Sequence, residues 1–449
     1  MTDASVAAPS AQDLEVTAEL VEFIRQSPSM FHAVATARCM LDGAGFSYLP
    51  EGEPWRMGLG GAYYTVRNGS SLVAWRVGRR LDDYHFQIAA AHTDSPTFKV
   101  KAVPELAGPR EYLRLDVEGY GGMIDSTWFD RPLGVAGRAI VRDGDRLESR
   151  LVNIQKDVLL IPNVAIHFNR RVNEGYAYNK QVDLCPLFSA GALHAGAFDA
   201  MVAEAAGVEP SQLVARDMYL ANHQPASIWG WRDEFVSAPK LDDLQCAFAA
   251  LKALVASGCE GHVSVCALFD NEEVGSGSMQ GAKSTFLRDV LERISSALGK
   301  TADEYRRAVA RSFLVSCDNA HAVHPNHPEK TDEVNAPQLN RGVVVKEAAN
   351  QKYTTDAFSR AVFCELCRRA GVPVQAFANR SDSAGGSTLG NLSAAQVSLH
   401  AVDVGLPQLA MHSAYETAGT RDTAWGIRAL SAFFETDVRL GDGESVALG

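Results

Sequence analysis

The sequence predicts an α/β domain that is interrupted by a β-rich insertion. In residues 1–98 and 236–449, apolar residues at helical spacing alternate with short apolar runs that are typical of buried strands. Residues 99–235 differ, because they contain many short alternating segments, glycine-rich turns and few helical periods. Alternating helices and strands form a sheet that is covered by helices. We therefore expect one discontinuous α/β domain, with residues 99–235 as an inserted β-rich domain.

The first α/β segment contains two predicted helices and three predicted strands. Ser27-Pro28-Ser29 ends one helical pattern before another begins. Asn68-Gly69 is a turn signal of the kind that joins two antiparallel strands. The expected helices are residues 14–25 and 30–41, and the expected strands are residues 62–66, 71–77 and 86–91.

The second segment repeats this alternation after residue 238. The expected helices are residues 244–256, 285–311, 357–370 and 423–435, and the expected strands are residues 263–269, 313–317 and 397–404. In an open α/β sheet, ligands bind beyond the carboxyl ends of the strands. Polar residues that follow these strands are therefore candidates for a functional site.

Composition restricts the partners of the protein. The chain of 449 residues has 42 Lys and Arg against 54 Asp and Glu, which gives a net charge of −12. Nucleic-acid binding needs a basic surface, so we expect no nucleic-acid partner. No run of about 18 apolar residues is present, so we expect no membrane-spanning helix and no membrane partner.

The cysteines and the N-terminus indicate the compartment. The eight cysteines include one close pair, Cys364 and Cys367, and no second pair that would complete a cysteine zinc site. Residues 1–4 lack the basic start and the apolar stretch of a secretory signal. We therefore expect reduced thiols and a cytoplasmic location.

Acidic residues and histidines concentrate where predicted strands end. They are His92, Asp94, Asp270, Glu272, Glu273, Asp318, His321 and His412, with Asp242 and Asp243 at the start of a helix. Taken singly, each is explained by a hydrogen-bonded turn, a helix cap or a solvated loop. Taken together, the three carboxyl groups within residues 270–273 would repel one another unless cations or water stabilise them. Mixed carboxylate and imidazole ligands suit a hydrolytic centre with two metal ions.

Seven motifs, in the same order along the chain, resemble those of the M18 metallopeptidases, the aspartyl aminopeptidase family. They are residues 91–96 (AHTDSP), 120–122 (YGG), 126–131 (STWFDR), 161–167 (IPNVAIH), 270–276 (DNEEVGS), 321–326 (HAVHPN) and 407–412 (PQLAMH). The resemblance implies a zinc-exopeptidase-like catalytic domain with a mixed sheet, and an inserted β-rich domain that makes the dimer and oligomer contacts. It also implies a homo-oligomer, a tetrahedral dodecamer built from dimers.

The resemblance also assigns the metal ligands and the general base. The five residues that resemble ligands of two Zn²⁺ ions per chain are His92, Asp242, Glu273, Asp318 and His412. Asp242 resembles the carboxylate that bridges the ions, and Glu272 resembles the general base. Asp94 lies two residues after His92, so in an extended segment it projects to the same side and could orient the imidazole. Co²⁺ or Mn²⁺ could occupy the same ligands.

Three further residues resemble substrate contacts. His167 lies in the insertion, and the resemblance places it in the active site of a neighbouring subunit; a third metal ligand is the alternative interpretation. Lys346 matches a position that would pair with an acidic side chain of the substrate, and Tyr353 would form part of the same pocket. The alternative for Lys346 is an exposed lysine at a strand end, and some M18 relatives prefer neutral residues.

We therefore expect a zinc-dependent aminopeptidase that hydrolyses N-terminal residues, preferentially Asp and Glu, from peptides. A dinuclear metal deacylase or carboxypeptidase would share the carboxylate and histidine pattern, but not the motifs at 126–131 and 161–167. A catalytically inactive cargo or scaffold relative is the other alternative, and the intact Glu272 and ligand set speak against it.

Overall fold

The computed structural model describes residues 8–383, 385–386, 388–441 and 445–449. Residues 1–7, the start of the predicted α/β domain, lie outside the described residues. They include residues 1–4, on which the expectation about a secretory signal rests. The helices of the described chain are α1 (Ala11–Arg25), α2 (Met30–Gly43), α3 (Lys180–Asp183), α4 (Ala197–Ala205), α5 (Leu241–Ala256), α6 (Phe286–Ala297), α7 (Ala302–Ala310), α8 (Ala357–Arg369), α9 (Leu389–Ala394) and α10 (Asp422–Glu435).

The strands up to the end of the predicted insertion are β1 (Ser47–Tyr48), β2 (Ala62–Arg67), β3 (Ser71–Val77), β4 (Phe86–His92), β5 (Thr97–Ala107), β6 (Tyr112–Tyr120), β7 (Pro132–Asp143), β8 (Arg146–Leu160), β9 (Leu187–Ala190), β10 (Leu213–Ala221), β11 (Ser227–Trp229) and β12 (Phe235–Ala238). The later strands are β13 (Val263–Phe269), β14 (Phe313–Cys317), β15 (Ala320–His321), β16 (Val343–Glu347), β17 (Val374–Ala378), β18 (His400–Gly405), β19 (Pro407–Leu409), β20 (Glu416–Gly419), β21 (Val438–Leu440) and β22 (Val446–Leu448).

A mixed sheet of nine strands forms the centre of the α/β part, in the order β1-β2-β3-β13-β4-β14-β18-β16-β17. The four central strands β13, β4, β14 and β18 run parallel to one another. β3 pairs antiparallel with β13 on one side, and β16 pairs antiparallel with β18 on the other. The carboxyl ends of the four central strands therefore share one edge of the sheet.

Helices cover both faces of this sheet. Helices α1, α2, α5, α8 and α10 pack against one face, and α6, α7 and α9 pack against the other. In β13, Cys266 and Leu268 contact the first layer, whereas Val265 and Ala267 contact the second. A strand buried on both faces has a continuous apolar sequence, which explains the run VSVCALF at residues 263–269. The predicted mixed α/β fold class is confirmed.

The β-rich part contains a closed barrel of six strands, in the order β10-β5-β6-β9-β8-β7. Phe98, Trp128 and Leu133 belong to its core, against which Phe198 of α4 packs. After the barrel, β11 and β12 join β20, β19 and β15 in a separate five-stranded sheet. The domain limits at residues 98–99 and 235–236 and the dimerisation role of the insertion stay predictions.

The single helix predicted at residues 285–311 is wrong, because two helices, α6 and α7, occupy this region. Gly299 lies between them with φ +73°, a conformation that glycine adopts without strain. Thr301 then starts α7 in a capping box, in which its side chain accepts from the backbone N–H of Glu304. Helical spacing of apolar residues continues across the break, so periodicity alone could not reveal it.

None of the helices in the described residues combines the length and the apolar character that crossing a membrane would require.

Candidate metal centre

Three neighbouring parallel strands bring four of the candidate residues to one edge of the sheet. β13, β4 and β14 lie side by side, with Phe269 of β13 opposite His92 of β4. His92 is the last residue of β4, and Asp318 directly follows β14. Glu272 and Glu273 lie in a 3₁₀ turn just after β13. The register of the sheet therefore determines how close these side chains lie.

Asp242 and His412 reach the same place from other elements. Asp242 is the second residue of α5, and His412 lies in the turn between β19 and β20 with φ +66°. His412 Nε2 lies 3.3 Å from Asp242 Oδ2 and 3.4 Å from Glu273 Oε2, and His92 Nε2 lies 3.5 Å from Asp242 Oδ1. The potential ligand atoms form overlapping groups, each within 4.8 Å: one contains His92 and Asp318, another contains Glu273 and His412, and Asp242 belongs to both.

The residues present fit a metal centre. Asp242 Oδ1 and Glu273 Oε1 are buried oxygen atoms without a hydrogen-bond partner in the structure, and a buried polar atom without a partner is unfavourable. The nitrogen–oxygen distances of 3.3–3.5 Å are close to the ligand separation of about 3.4 Å in a tetrahedral zinc site with bonds of about 2.1 Å. A divalent cation would satisfy both oxygen atoms.

The shifted pKa values of the cluster residues also fit a metal centre. Burial raises the pKa of Glu272 to about 8, and it raises the pKa of Glu273 well above its usual value. Burial opposes ionisation of Asp242, but the neighbouring imidazoles of His412 and His92 lower its pKa. Burial also opposes protonation of His92, yet the neighbouring carboxylates raise its pKa. The cluster contains more carboxyl groups than cationic groups. Some of the carboxyl groups therefore keep their protons, and a bound metal ion would displace these protons.

Asp94 holds the turn that carries the two glutamates. Its Oδ1 accepts from the backbone N–H of Glu272 at 3.2 Å, and its Oδ2 accepts from the backbone N–H of Glu273 at 3.2 Å. The hydroxyl of Tyr120 donates to Oδ2 at 2.7 Å. His92 Nδ1 lies 3.0 Å from the Asp94 carbonyl oxygen and 3.4 Å from Oδ1. This geometry supports the predicted role of Asp94 in orienting the imidazole, which leaves Nε2 facing the cluster.

A cavity of about 140 Å³ opens beside the cluster. Its walls include His92, Asp242, Glu272, Asp318 and His412 of the cluster, together with His321, Lys346, Tyr353 and Phe377. His321 is a wall residue to which the sequence assigned no role. Glu272, four of the five predicted ligands and the predicted pocket residues Lys346 and Tyr353 therefore line one cavity.

Lys346 is buried, so the exposed strand-end lysine of the alternative interpretation is wrong. Its Nζ donates to the backbone carbonyl oxygen of Asp318 at 2.8 Å and to that of Asn319 at 3.4 Å. The Tyr353 ring centroid lies 5.3 Å from Nζ. Burial disfavours the ammonium, but the charge of Asp318 raises the pKa of Lys346. Among the described residues, these carbonyl groups occupy two of its three N–H donors.

His167 does not lie with the other candidates in this chain. It is on an exposed turn of the insertion and does not line the cavity described above. Its neighbours Ile166 and Phe168 are 47% and 88% exposed. Exposed apolar side chains of this kind are typical of contacts with another protein chain.

Two further carboxylates hold residues of the cluster in place: Glu416, which sequence analysis missed, and Asp243, to which it assigned no role. Glu416 is buried; its Oε2 accepts from the backbone N–H of Asp242 at 2.9 Å and its Oε1 from that of His412 at 2.7 Å. Asp243 accepts from the backbone N–H of His92 at 3.0 Å. One feature of the sequence could have identified Glu416: it is the only charged residue of its short strand, β20, and it lies four positions after His412.

Asp270 belongs to a different network. Its Oδ1 accepts from the backbone N–H of Asn271 at 2.7 Å, and Gln280 donates to Oδ2 at 3.4 Å. It is in none of the groups of potential metal ligands found among the described residues. Of the three carboxyl groups in residues 270–273, the two glutamates therefore face the cluster, whereas Asp270 stabilises the turn.

Comparison with known proteins identifies relatives over nearly the whole chain. The family described as Aminopeptidase I zinc metalloprotease (M18) matches residues 23–434. The probable M18 family aminopeptidase 2 of Clostridium novyi is 44% identical over 425 residues, which cover 93% of this chain and 98% of the relative.

Solved structures give the same result. The chain is similar to a protein in the cryo-EM structure of the Ape4 and Nbr1 complex, with a TM-score of 0.91, 34% identity, and coverage of 95% of this chain and 87% of that one. It is also similar to the S. cerevisiae mApe1 dodecamer, with a TM-score of 0.83, 30% identity, and coverage of 94% and 97%.

Replacing Glu416 by Gln is expected to weaken Zn²⁺ binding by about 10–100-fold, the usual effect of losing a group that holds metal ligands. The amide has one acceptor oxygen, so the backbone N–H of either Asp242 or His412 loses its partner. Competition with a chelator measures the dissociation constant. The control is Glu333→Gln, which changes an exposed carboxylate; equal Zn²⁺ affinities of the two variants would contradict the assigned role.

Proposed function

The chain belongs to the M18 family of zinc metalloproteases and is a metallo-aminopeptidase, and from that membership we propose that it removes N-terminal residues, preferentially Asp and Glu, from peptides with two divalent metal ions and Glu272 as general base. The observation that carries the proposal is a buried cluster of carboxylates and imidazoles that lines a cavity together with a buried lysine. A deacylase or carboxypeptidase has no support from the relatives. The complete, clustered ligand set speaks against an inactive scaffold.

Five residues would hold the two ions. His92 and Asp318 lie in one group of potential ligands, Glu273 and His412 lie in another, and Asp242 is common to both. This overlap supports Asp242 as the bridging carboxylate, since its two oxygen atoms face different histidines. When bound, the ions supply Lewis acidity, which polarises the scissile carbonyl and lowers the pKa of water. Zn²⁺ is the metal of the family, and Co²⁺ or Mn²⁺ could occupy the same ligands.

Glu272 has the position of a general base. Its backbone is held by Asp94 and its side chain lines the cavity. Burial favours its neutral form, so the carboxylate readily accepts a proton in this environment. In the proposed reaction it takes a proton from the attacking water and delivers it to the leaving amine. Asp94 would act through position, because it fixes both glutamates and the ring of His92.

Lys346 and Tyr353 would recognise an acidic side chain. Two N–H donors of Lys346 bind carbonyl groups, and its Nζ lies 3.8 Å from Asp318 Oδ2. The third donor would bind a substrate carboxylate in the cavity, and a charge-assisted hydrogen bond is about twice as strong as a neutral one. The ring of Tyr353 packs against the same ammonium. Lys346 is only 2% exposed, which limits competition from bulk water. These contacts favour Asp or Glu as the first residue of the substrate.

His167 would complete the site of a neighbouring subunit. The related S. cerevisiae protein is a dodecamer, and we propose that this chain also forms a homo-oligomer, a tetrahedral dodecamer. The exposed apolar residues beside His167 would then lie in an interface, and its imidazole would contact substrate in the partner's cavity. We also propose a cytoplasmic location. The eight cysteines, all within the described residues, form no disulfide.

Replacing Glu272 by Gln is expected to lower kcat for an aspartyl p-nitroanilide by about 10²–10⁴-fold, the usual contribution of a general base. The metal content, measured by elemental analysis, should stay at the wild-type value, because the five ligands remain. Glu333→Gln serves as the control. Activity at the wild-type level, or activity on the N-acetylated substrate, would contradict the proposed reaction.

Replacing Lys346 by Ala is expected to lower kcat/KM for aspartyl and glutamyl substrates at least about 10-fold more than for alanyl or leucyl substrates, because only the acidic side chain loses a charged partner. The measurement is a panel of aminoacyl p-nitroanilides, with the exposed Lys330→Ala as control. An equal loss for acidic and neutral substrates would show that Lys346 acts only by holding Asp318.

An assembly in which every chain carries His167→Ala is expected to have a lower kcat than the wild-type assembly, because no chain then supplies this imidazole to a neighbour's cavity. Co-expression with Glu272→Gln should restore part of the activity, because a chain with intact Glu272 can then receive His167 from its neighbour. His194→Ala, another exposed histidine of the insertion, should keep wild-type activity when expressed alone. Mixed assemblies that remain as inactive as the two variants alone would show that His167 does not act across subunits.

A further inference from the structure

A second group of potential metal ligands lies at the opposite edge of the nine-stranded sheet. His85 directly precedes β4, and His262 directly precedes β13, its parallel neighbour. Asp437 directly precedes β21 near the C-terminus. His85 is seven residues before His92, which along a strand corresponds to about 20 Å. The group is therefore separate from the centre described above.

The three side chains lie close enough to share one ion. One nitrogen of each imidazole and one carboxylate oxygen of Asp437 lie within 4.8 Å of one another. His85 Nε2 lies 3.5 Å from Asp437 Oδ1, near the separation of about 3.4 Å between two ligands of a tetrahedral zinc ion. The two imidazole rings are 5.5 Å apart between centroids.

Two buried atoms of the group have no hydrogen-bond partner in the structure: His262 Nδ1 and Asp437 Oδ1. His262 Nε2 lies 2.9 Å from the carbonyl oxygen of Phe434. A carbonyl oxygen only accepts, so Nε2 carries the proton and Nδ1 keeps a free lone pair. Arg439 pairs with the other oxygen of Asp437, Oδ2, at 2.6 Å. Both unpartnered atoms can therefore donate electron pairs to a cation.

Burial favours the neutral form of both imidazoles. Burial lowers the pKa of His262 to about 4, and burial also lowers the pKa of His85. Neutral imidazoles offer a lone pair without first losing a proton. An ion can reach the group from a cavity of about 500 Å³ that His262 and Asp437 line; the same cavity is lined by Glu260 and Glu435 and by Arg76 and Arg79.

We propose that His85, His262 and Asp437 bind one further divalent transition-metal ion with a structural role. Two imidazoles and one carboxylate suit Zn²⁺ and exclude Mg²⁺ or Ca²⁺ as preferred ions, since those prefer oxygen ligands. Gln87 Oε1 accepts from the backbone N–H of Val438 and therefore also from His85 Nε2–H, at 3.0 Å. For Nε2 to bind the metal, this hydrogen bond breaks and the ring proton moves to Nδ1. The ion connects the residues that directly precede β4 and β13 to the C-terminal segment after α10. Gln87 also holds that segment, because it accepts from the backbone N–H of Val438.

The test compares the metal content of the full-length protein and of two variants after equilibration with buffered Zn²⁺. Wild-type protein is expected to hold about one more ion per chain than His262→Gln or Asp437→Asn, with aminopeptidase activity unchanged in both. Zn²⁺ should also raise the Tm of the metal-stripped wild type more than that of the variants, because an ion that binds only the native state stabilises it. His400→Gln, at the same edge of the sheet as the first residue of β18, is the control and should match wild type.

Equal metal content in wild type and in the folded, active variants would overturn the proposal. Zn²⁺-loaded wild type and Zn²⁺-loaded His262→Gln are also titrated with one equivalent of Co²⁺. A visible absorption band in wild type that is absent from the variant would support the site. No band in wild type, or bands of equal strength in both proteins, would show that the two histidines serve only their hydrogen bonds to Gln87 and to the carbonyl group of Phe434.

Discussion

The structure depends on burying an excess of carboxylates at one edge of a sheet. Asp242, Glu273 and Asp318 are shielded from water, and a buried carboxylate is stable only with hydrogen-bond donors or cations around it. Asp94 and Glu416 obtain donors from backbone N–H groups of the residues that they position. Asp242 and Glu273 each keep one oxygen without a partner in the structure. The acids therefore divide into those that organise the site and those that need a metal.

The scaffold makes that burial possible because its central strands cannot shift. β4 and β13 are covered by helices on both faces, so their ends are fixed by two cores at once. Positions in the turns beyond them are fixed by hydrogen bonds instead. Asn271 has a left-handed φ of +64°, and it starts a turn whose two glutamate N–H groups bind one carboxylate, Asp94. Rigid strands and a pinned turn together give the geometry that metal ligands require.

The sequence was sufficient for what local patterns determine. Buried strands such as residues 263–269 are apolar runs, and collinear motifs carry the family resemblance. Prediction from the sequence failed where one local pattern fits two different structures. At Gly299, helical spacing of apolar residues continues, although the chain breaks there between α6 and α7. It also missed Glu416, which accepts from the backbone N–H of His412, four residues away, and from that of Asp242, 174 residues away. Sequence patterns report side-chain types, whereas this role depends on tertiary position.

Lys346 shows how recognition and metal binding are linked at this site. Its ammonium is bound to the carbonyl oxygen of Asp318, so the same residue supports a proposed ligand and faces the substrate cavity. A buried cation beside a divalent centre is unfavourable unless anions surround it. Asp318 supplies one such charge, and in the proposed reaction the acidic side chain of the substrate supplies another. Substrate preference would then follow from electrostatics, because a neutral side chain would leave the lysine without its second anion.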